Sequence, residues 1–125
     1  NFNYLKEALK GTEDKLILPK ACENSRPSWF GFLITCREGV DRNQIVQMIE
    51  AKGVQTRMLF AGNLTKHPCF DQMRATGKGY RIAGTLENTD RIMKDTFWIG
   101  VYPGMTDEML EAMANVIKDA VNGVK

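Results

Sequence analysis

Apolar residues along the chain recur at two periods, and the changes between them mark out its elements. The opening NFNYLKEALK sets Phe2, Leu5 and Leu9 on one helical stripe, which Gly11 and the polar GTEDK end. LILP is a short apolar run stopped by Pro19, and ACENSRPS reads as a loop. WFGFLITC is aromatic and β-branched, a strand for a sheet covered on at least one face. The strongest local signal follows: Asp41 as N-cap, Gln44 at the capping-box position, Ile45, Met48 and Ile49 as the stripe of a helix, and Gly53 just past its end. VQTRMLF then alternates as a strand, with Val54, Thr56, Met58 and Phe60 on one face and Gln55, Arg57 and Leu59 on the other.

LFAGNLTKHPCF, Leu59 to Phe70, fits neither period. Beyond it FDQMRATG is weakly helical up to Gly77, YRIAG is a short extended piece, and ENTDRIMKDTF is a short helix carrying Ile92 and Met93. FWIGVYP is a second apolar strand ended by Pro103 and Gly104. The last helix is capped by Thr106, with Met109, Leu110, Met113, Ile117 and Val121 as its stripe. The methionines all fall on or beside such stripes and read as core. Alternating helices and strands, with few strands, predict an α/β fold of the α+β two-layer sandwich kind: a small three- or four-stranded sheet with helices on one face. Its other face is then free for docking.

Composition narrows the function. At 125 residues the chain fits one domain. Its net charge of +2 gives no electrostatic case for nucleic acid or an acidic membrane surface. No apolar run approaches the roughly 20 residues of a membrane helix. The three cysteines, Cys22, Cys36 and Cys69, lack CxxC spacing, so neither a disulfide framework nor a metal ligand set is indicated, and a reducing cytoplasm is the natural setting. The absence of an initiator methionine, with a helix already under way, leads us to expect a piece of a longer chain. A single histidine leaves no zinc cluster and no HExxH, and Cys69 two residues from His67 does not make a thiol-enzyme dyad. GKGYRIAG is a glycine turn without phosphate-binding context, and Asn63-Leu64-Thr65 is a glycosylation triplet that a cytoplasmic chain would not use. What remains is Arg57, the loop from Asn63 to Pro68, and Arg91, all candidate binders of anions or hydroxyls. Each arginine singly is an ordinary surface residue; their combination marks a site.

RPSWFGF (Arg26 to Phe32), TRMLFAGNLTKHPCF (Thr56 to Phe70) and NTDRIMKDTFWIGVYPGMT (Asn88 to Thr106) resemble the C-terminal part of the RfbH-type CDP-4-keto-6-deoxy-D-glucose 3-dehydratases. These belong to the sugar aminotransferase branch of the fold-type I pyridoxal-phosphate (PLP) enzymes. The likeness runs over nearly the whole chain. It implies residues 1–12 as the tail of an interdomain helix and 13–125 as the C-terminal small domain, the catalytic large domain being absent. It further implies a parent that uses pyridoxamine or pyridoxal 5′-phosphate to remove the C3 hydroxyl of a CDP-ketosugar for 3,6-dideoxyhexose and O-antigen synthesis. The parent would carry an iron–sulfur cluster served by an iron–sulfur flavin reductase, and would form a homodimer in the bacterial cytoplasm.

On this resemblance the cofactor-anchoring groups lie upstream, so the fragment holds no cofactor, metal or catalytic residue and is inert alone. His67 is not the family's catalytic histidine. Related sugar aminotransferases carry Pro-Leu-His in the loop after the second small-domain strand, and here Asn63, Leu64 and Thr65 stand there. The expected substrate-side residues are Arg91 first and Arg57 second. Asn63 and Thr65 would present hydrogen bonds, His67 lies in the same loop, and Phe60 and Pro68 shape it. Ser28 and Trp29 would border the cleft or simply start the strand and fill core. A sugar aminotransferase, or a free-standing interaction module, are the other functions this sequence allows.

Overall fold

The computed structural model describes residues 1–124; Lys125, the last residue of the expected small domain, lies outside them. Helix α1 (Phe2–Ala8) seats Leu5 and Leu9 in the core. A short strand β1 (Leu16–Ile17) leads to β2 (Gly31–Cys36), so LILP contributes a sheet edge. Helix α2 (Arg42–Ala51) begins as expected, with the Asp41 carboxylate accepting the Asn43 and Gln44 backbone N–H groups at 2.8 and 3.2 Å. Such a cap is worth about 1 kcal/mol. Strand β3 (Thr56–Met58) is followed by two 3-10 turns, Leu64–Lys66 and Pro68–Phe70, and by α3 (Asp71–Thr76), ended by Gly77 in the left-handed region. Helix α4 (Glu87–Asp95), strand β4 (Thr96–Gly100) and helix α5 (Asp107–Gly123, capped by Thr106) complete the chain.

The four strands form one antiparallel sheet in the order β1-β2-β4-β3. Because side chains alternate across a strand, Phe32, Ile34 and Cys36 of β2 and Phe97 and Ile99 of β4 all point to one face, where they are buried with Leu5, Leu9, Ile45, Ile49, Leu110, Ile117 and Val121. Helices α1, α2 and α5 cover that face. Lys15 ties the far end of α5 to the sheet, donating to the carbonyls of Val121 and Val124 at 2.9 and 2.5 Å, where a cation complements the helix C-terminus. The expected small sheet with helices on one face is therefore the fold observed.

Several local expectations do not hold. β3 is three residues long, and Phe60, expected to continue its alternation on the face of Val54, Thr56 and Met58, lies beyond its end with φ +47° and is 75% exposed. The turn at Phe60 ends the strand before alternation can carry it inward. Met48, Met58, Met73 and Met109 are exposed, Met93 and Met113 are half-buried, with Met113 packed against the core, and Met105 is buried in it. In α2 the inner stripe is Ile45, Val46 and Ile49, and in α5 it is Leu110, Ala114, Ile117, Ala120 and Val121. Ile45 and Ile49 of α2 and Leu110, Ile117 and Val121 of α5 are buried as expected, while Val46, Ala114 and Ala120 are buried in place of Met48, Met109 and Met113. YRIAG is irregular and exposed, with no strand to pair with.

Candidate functional site

The sheet face opposite the helices carries Leu33 and Trp98, which stand opposite one another in the β2–β4 ladder, and Arg57, which stands opposite Trp98 in the β3–β4 ladder. Pro27, Trp29, Phe30, Leu59 and Phe60 complete the lining of a 350 Å³ apolar hollow here. Trp98 is fixed on both sides. Its Nε1 donates to the Met58 carbonyl at 3.2 Å, and Phe30 meets its ring edge-on with centroids 5.3 Å apart. Phe30 and Phe60 are 66% and 75% exposed, so this aromatic floor is open to a ligand or to another surface. Ser28 and Trp29 both border it, and Trp29 also stacks on Phe2 at 4.6 Å.

The irregular loop is built around Asn63, whose side chain is 2% exposed. Its Oδ1 accepts the Thr65 backbone N–H at 3.0 Å and the Thr65 hydroxyl at 2.6 Å, and its Nδ2 donates to Asp90 Oδ1 at 2.7 Å. Lys66 Nζ reaches the same Asp90 oxygen at 2.8 Å. These partners, Lys66 foremost and then Asn63, hold the Asp90 carboxyl below its ordinary pKa. The Asn63 and Thr65 side chains, expected to face a sugar, thus bond to the protein itself. A short polar side chain ahead of a turn closes that turn before it reaches for a ligand.

His67 is half-buried, with Nε2 2.5 Å from the Ala61 carbonyl, and its own carbonyl accepts from Arg74. Arg74 also bonds the Thr65 carbonyl and pairs with Asp71, closing the loop onto α3. Leu64, Thr65, Phe70, Met73, Arg74 and Tyr80 line a second, 250 Å³ hollow there.

Arg91 lies elsewhere. It lines a 660 Å³ groove between the β2–α2 connection and α4, with Glu38, Asp41, Arg42, Asp90, Lys94 and Asp95. Arg91 makes no ion pair among the described residues, whereas Arg57 donates to the Thr56 carbonyl. The two arginines expected to act together are therefore apart: Arg91 lines the groove beside α4, whereas Arg57 stands beside Trp98 on the sheet and lines none of these hollows. Arg42, Asp90, Phe30 and Trp98 were not singled out from sequence. The alternation of FWIGVYP could have assigned Trp98 to the open face, but nothing local announces Asp90 as the partner of a side chain 27 positions earlier.

The residues present do not fit an iron–sulfur cluster, which takes four ligands. The chain has three cysteines, of which Cys22 and Cys69 are exposed and Cys36 is enclosed in the core. No group of three His, Cys, Asp or Glu side chains converges among the described residues. Pyridoxal phosphate is not cradled either. The open-face hollow has no charged side chain in its lining, and the Arg91 groove sets four carboxylates against three cations. No described helix is long and apolar enough to cross a membrane.

The DegT/DnrJ/EryC1/StrS aminotransferase family model matches residues 1–118. The chain belongs to this family. It is 46% identical over 121 residues to the lipopolysaccharide biosynthesis protein RfbH of Salmonella typhimurium, covering 95% of this chain and 26% of that one. It is 44% identical over 123 residues to dTDP-4-dehydro-2,6-dideoxy-D-glucose 3-dehydratase of Saccharopolyspora spinosa, covering 97% and 25%. The chain thus spans about a quarter of the length of these curated relatives. Among solved structures, E. coli GDP-4-keto-6-deoxy-D-mannose-3-dehydratase with bound hydrated PLP superposes with a TM-score of 0.73 at 20% identity, over 92% of this chain and 28% of that one. A PLP-dependent aminotransferase from Bacillus cereus gives 0.71 at 21%, over 93% and 29%. These likenesses establish the fold.

Proposed function

We propose that this chain is the C-terminal small domain of a pyridoxamine- or pyridoxal-phosphate-dependent nucleotide-sugar 3-dehydratase, with residues 1–12 ending a helix that leads in from a large catalytic domain. The observation that carries this reading is identity of 44–46% to two curated relatives across nearly the whole chain, one of them named for 3-dehydratase chemistry and the other for lipopolysaccharide biosynthesis. The parent would remove the C3 hydroxyl of CDP-4-keto-6-deoxyglucose for O-antigen dideoxysugars in the bacterial cytoplasm. Its cofactor, which acts as the electron sink, would sit in the large domain, as would an iron–sulfur cluster that passes on electrons from a reductase. A homodimer follows from the same resemblance.

This chain's own part is on the substrate side. Arg91, free of any ion pair among the described residues, has the fork geometry that a carboxylate or phosphate takes up. Phe30, Phe60 and Trp98 offer a flat apolar face with Arg57 at its side. In the full-length protein supplied with pyridoxamine phosphate and a reductase, Arg91→Ala should lower kcat/KM for the CDP-ketosugar on the order of 100-fold with the fold intact. Near-normal turnover would remove Arg91 from the substrate cleft.

The second reading, a sugar aminotransferase, is favoured by the family's own description and by the Bacillus cereus likeness. Transfer of an amino group from glutamate to the ketosugar, with a lysine in place of a histidine at the upstream Schiff-base position, would decide for it. A free-standing module would instead bind a partner with no dependence on cofactor.

A further inference from the structure

Loop and helix meet at a place neither element explains by itself. Asn63 Nδ2 donates to Asp90 Oδ1, and Lys66 Nζ reaches the same oxygen. One turn further along α4, Met93 Sδ accepts the Asn63 backbone N–H at 3.3 Å, and the Met93 side chain fills the space a Cβ on Gly62 would need. The Lys66 pair is half exposed, so solvent screens it. The bond from Asn63 is the stronger tie, because a buried amide donor left without a partner is costly.

What this junction joins gives it a role. Leu59 and Phe60, just ahead of it, wall the open-face hollow, and Leu64 and Thr65, just after it, wall the 250 Å³ hollow. Asp90 itself, with Arg91 beside it, walls the 660 Å³ groove. We infer that Asp90 is a positioning residue, which latches the Gly62–Lys66 loop to α4 so that these three hollows keep one geometry for a bound sugar nucleotide. The inference rests on the dehydratase reading for its ligand, but not for the latch.

Two measurements on the full-length protein test it: amide hydrogen exchange across residues 62–67, and steady-state kinetics with CDP-4-keto-6-deoxyglucose. Asp90→Ala should speed exchange in the loop about tenfold, and should raise KM by about as much with kcat within about twofold of wild type. Asp90→Asn keeps an oxygen to accept from Asn63 and should restore both. Unchanged loop exchange in Asp90→Ala overturns the latch. Faster exchange with unchanged KM overturns its positioning role, and so does a fall in kcat that tracks a general loss of protein stability. Should Asp90→Ala fail to fold, Asp90→Ser, with a side chain too short to span the same gap, is read by the same two measurements. A wild-type protein that leaves the ketosugar untouched refutes the dehydratase reading alone, since the exchange comparison involves no substrate and still decides the latch.

Discussion

Gly31 lies beneath the indole of Trp98: a Cβ on Gly31 would come within 2.8 Å of Trp98 Cε3. Glycine is required here for close approach, not for an unusual turn. Gly31→Ala should therefore tilt the indole, weaken its bond to the Met58 carbonyl, and destabilise the domain by about 1–3 kcal/mol. Denaturant unfolding, together with a shift in native tryptophan emission, checks this. Unchanged stability and emission would mean that the ring does not rest on the backbone.

The three thiols should differ sharply in reactivity. Cys36 is fully buried, and burial, reinforced by the charge of Asp95, pushes its thiol up to about 11. At pH 8 about a thousandth of it is thiolate. Cys22 and Cys69 are exposed. Residue-resolved alkylation at pH 8 should label these two and spare Cys36 until the chain unfolds. Because the folded pKa of Cys36 lies above its unfolded value of 9.0, its contribution to stability is intact below pH 9 and declines as pH rises toward 11.

Legibility followed the range of the interactions. The α2 cap, Asp41 to Gln44, and the left-handed stop at Gly77 are settled within a few residues and were readable. So were β2 and β4 as apolar strands, although the period-two burial that one covered face imposes on them was not read from the sequence. The methionines of α2 and α5 misled, because an unbranched apolar side chain suits the edge of a stripe as well as its centre. Asn63 was placed in the right loop but given the wrong direction. Its partner Asp90 arrives from 27 positions away, and only the packing of α4 against the loop decides which polar groups remain for a ligand.

The charge on Asp90 should respond chiefly to Lys66. The ammonium's hydrogen bond is the largest cause of the lowered carboxyl pKa, with Asn63 next. A lowered folded pKa means that the contribution to stability is present above the ordinary value of 3.8 and is lost only as pH falls below it. Carbon-13 titration of the Asp90 carboxyl should show a midpoint below 3.8 in wild type, moving upward in Lys66→Ala. An unmoved midpoint would mean that the ion pair is not formed in solution.

Gly62 combines two demands that no other residue meets. Its φ is +62°, where a β-carbon is strained, and a Cβ would come within 2.5 Å of Met93 Cγ. Gly62→Ala should cost about 1–3 kcal/mol through the two effects together. They can be separated in large part, because truncating Met93 removes the two nearest contacts, Cγ and Sδ, and leaves the Met93 Cβ at 3.1 Å together with the backbone strain. In a double-mutant cycle, Gly62→Ala should therefore be less harmful in a Met93→Ala background than in wild type, while still remaining destabilising. Additive effects in thermal unfolding would show that the loop does not rest on α4 at this point, and would leave Asp90 as its only anchor there among the described residues.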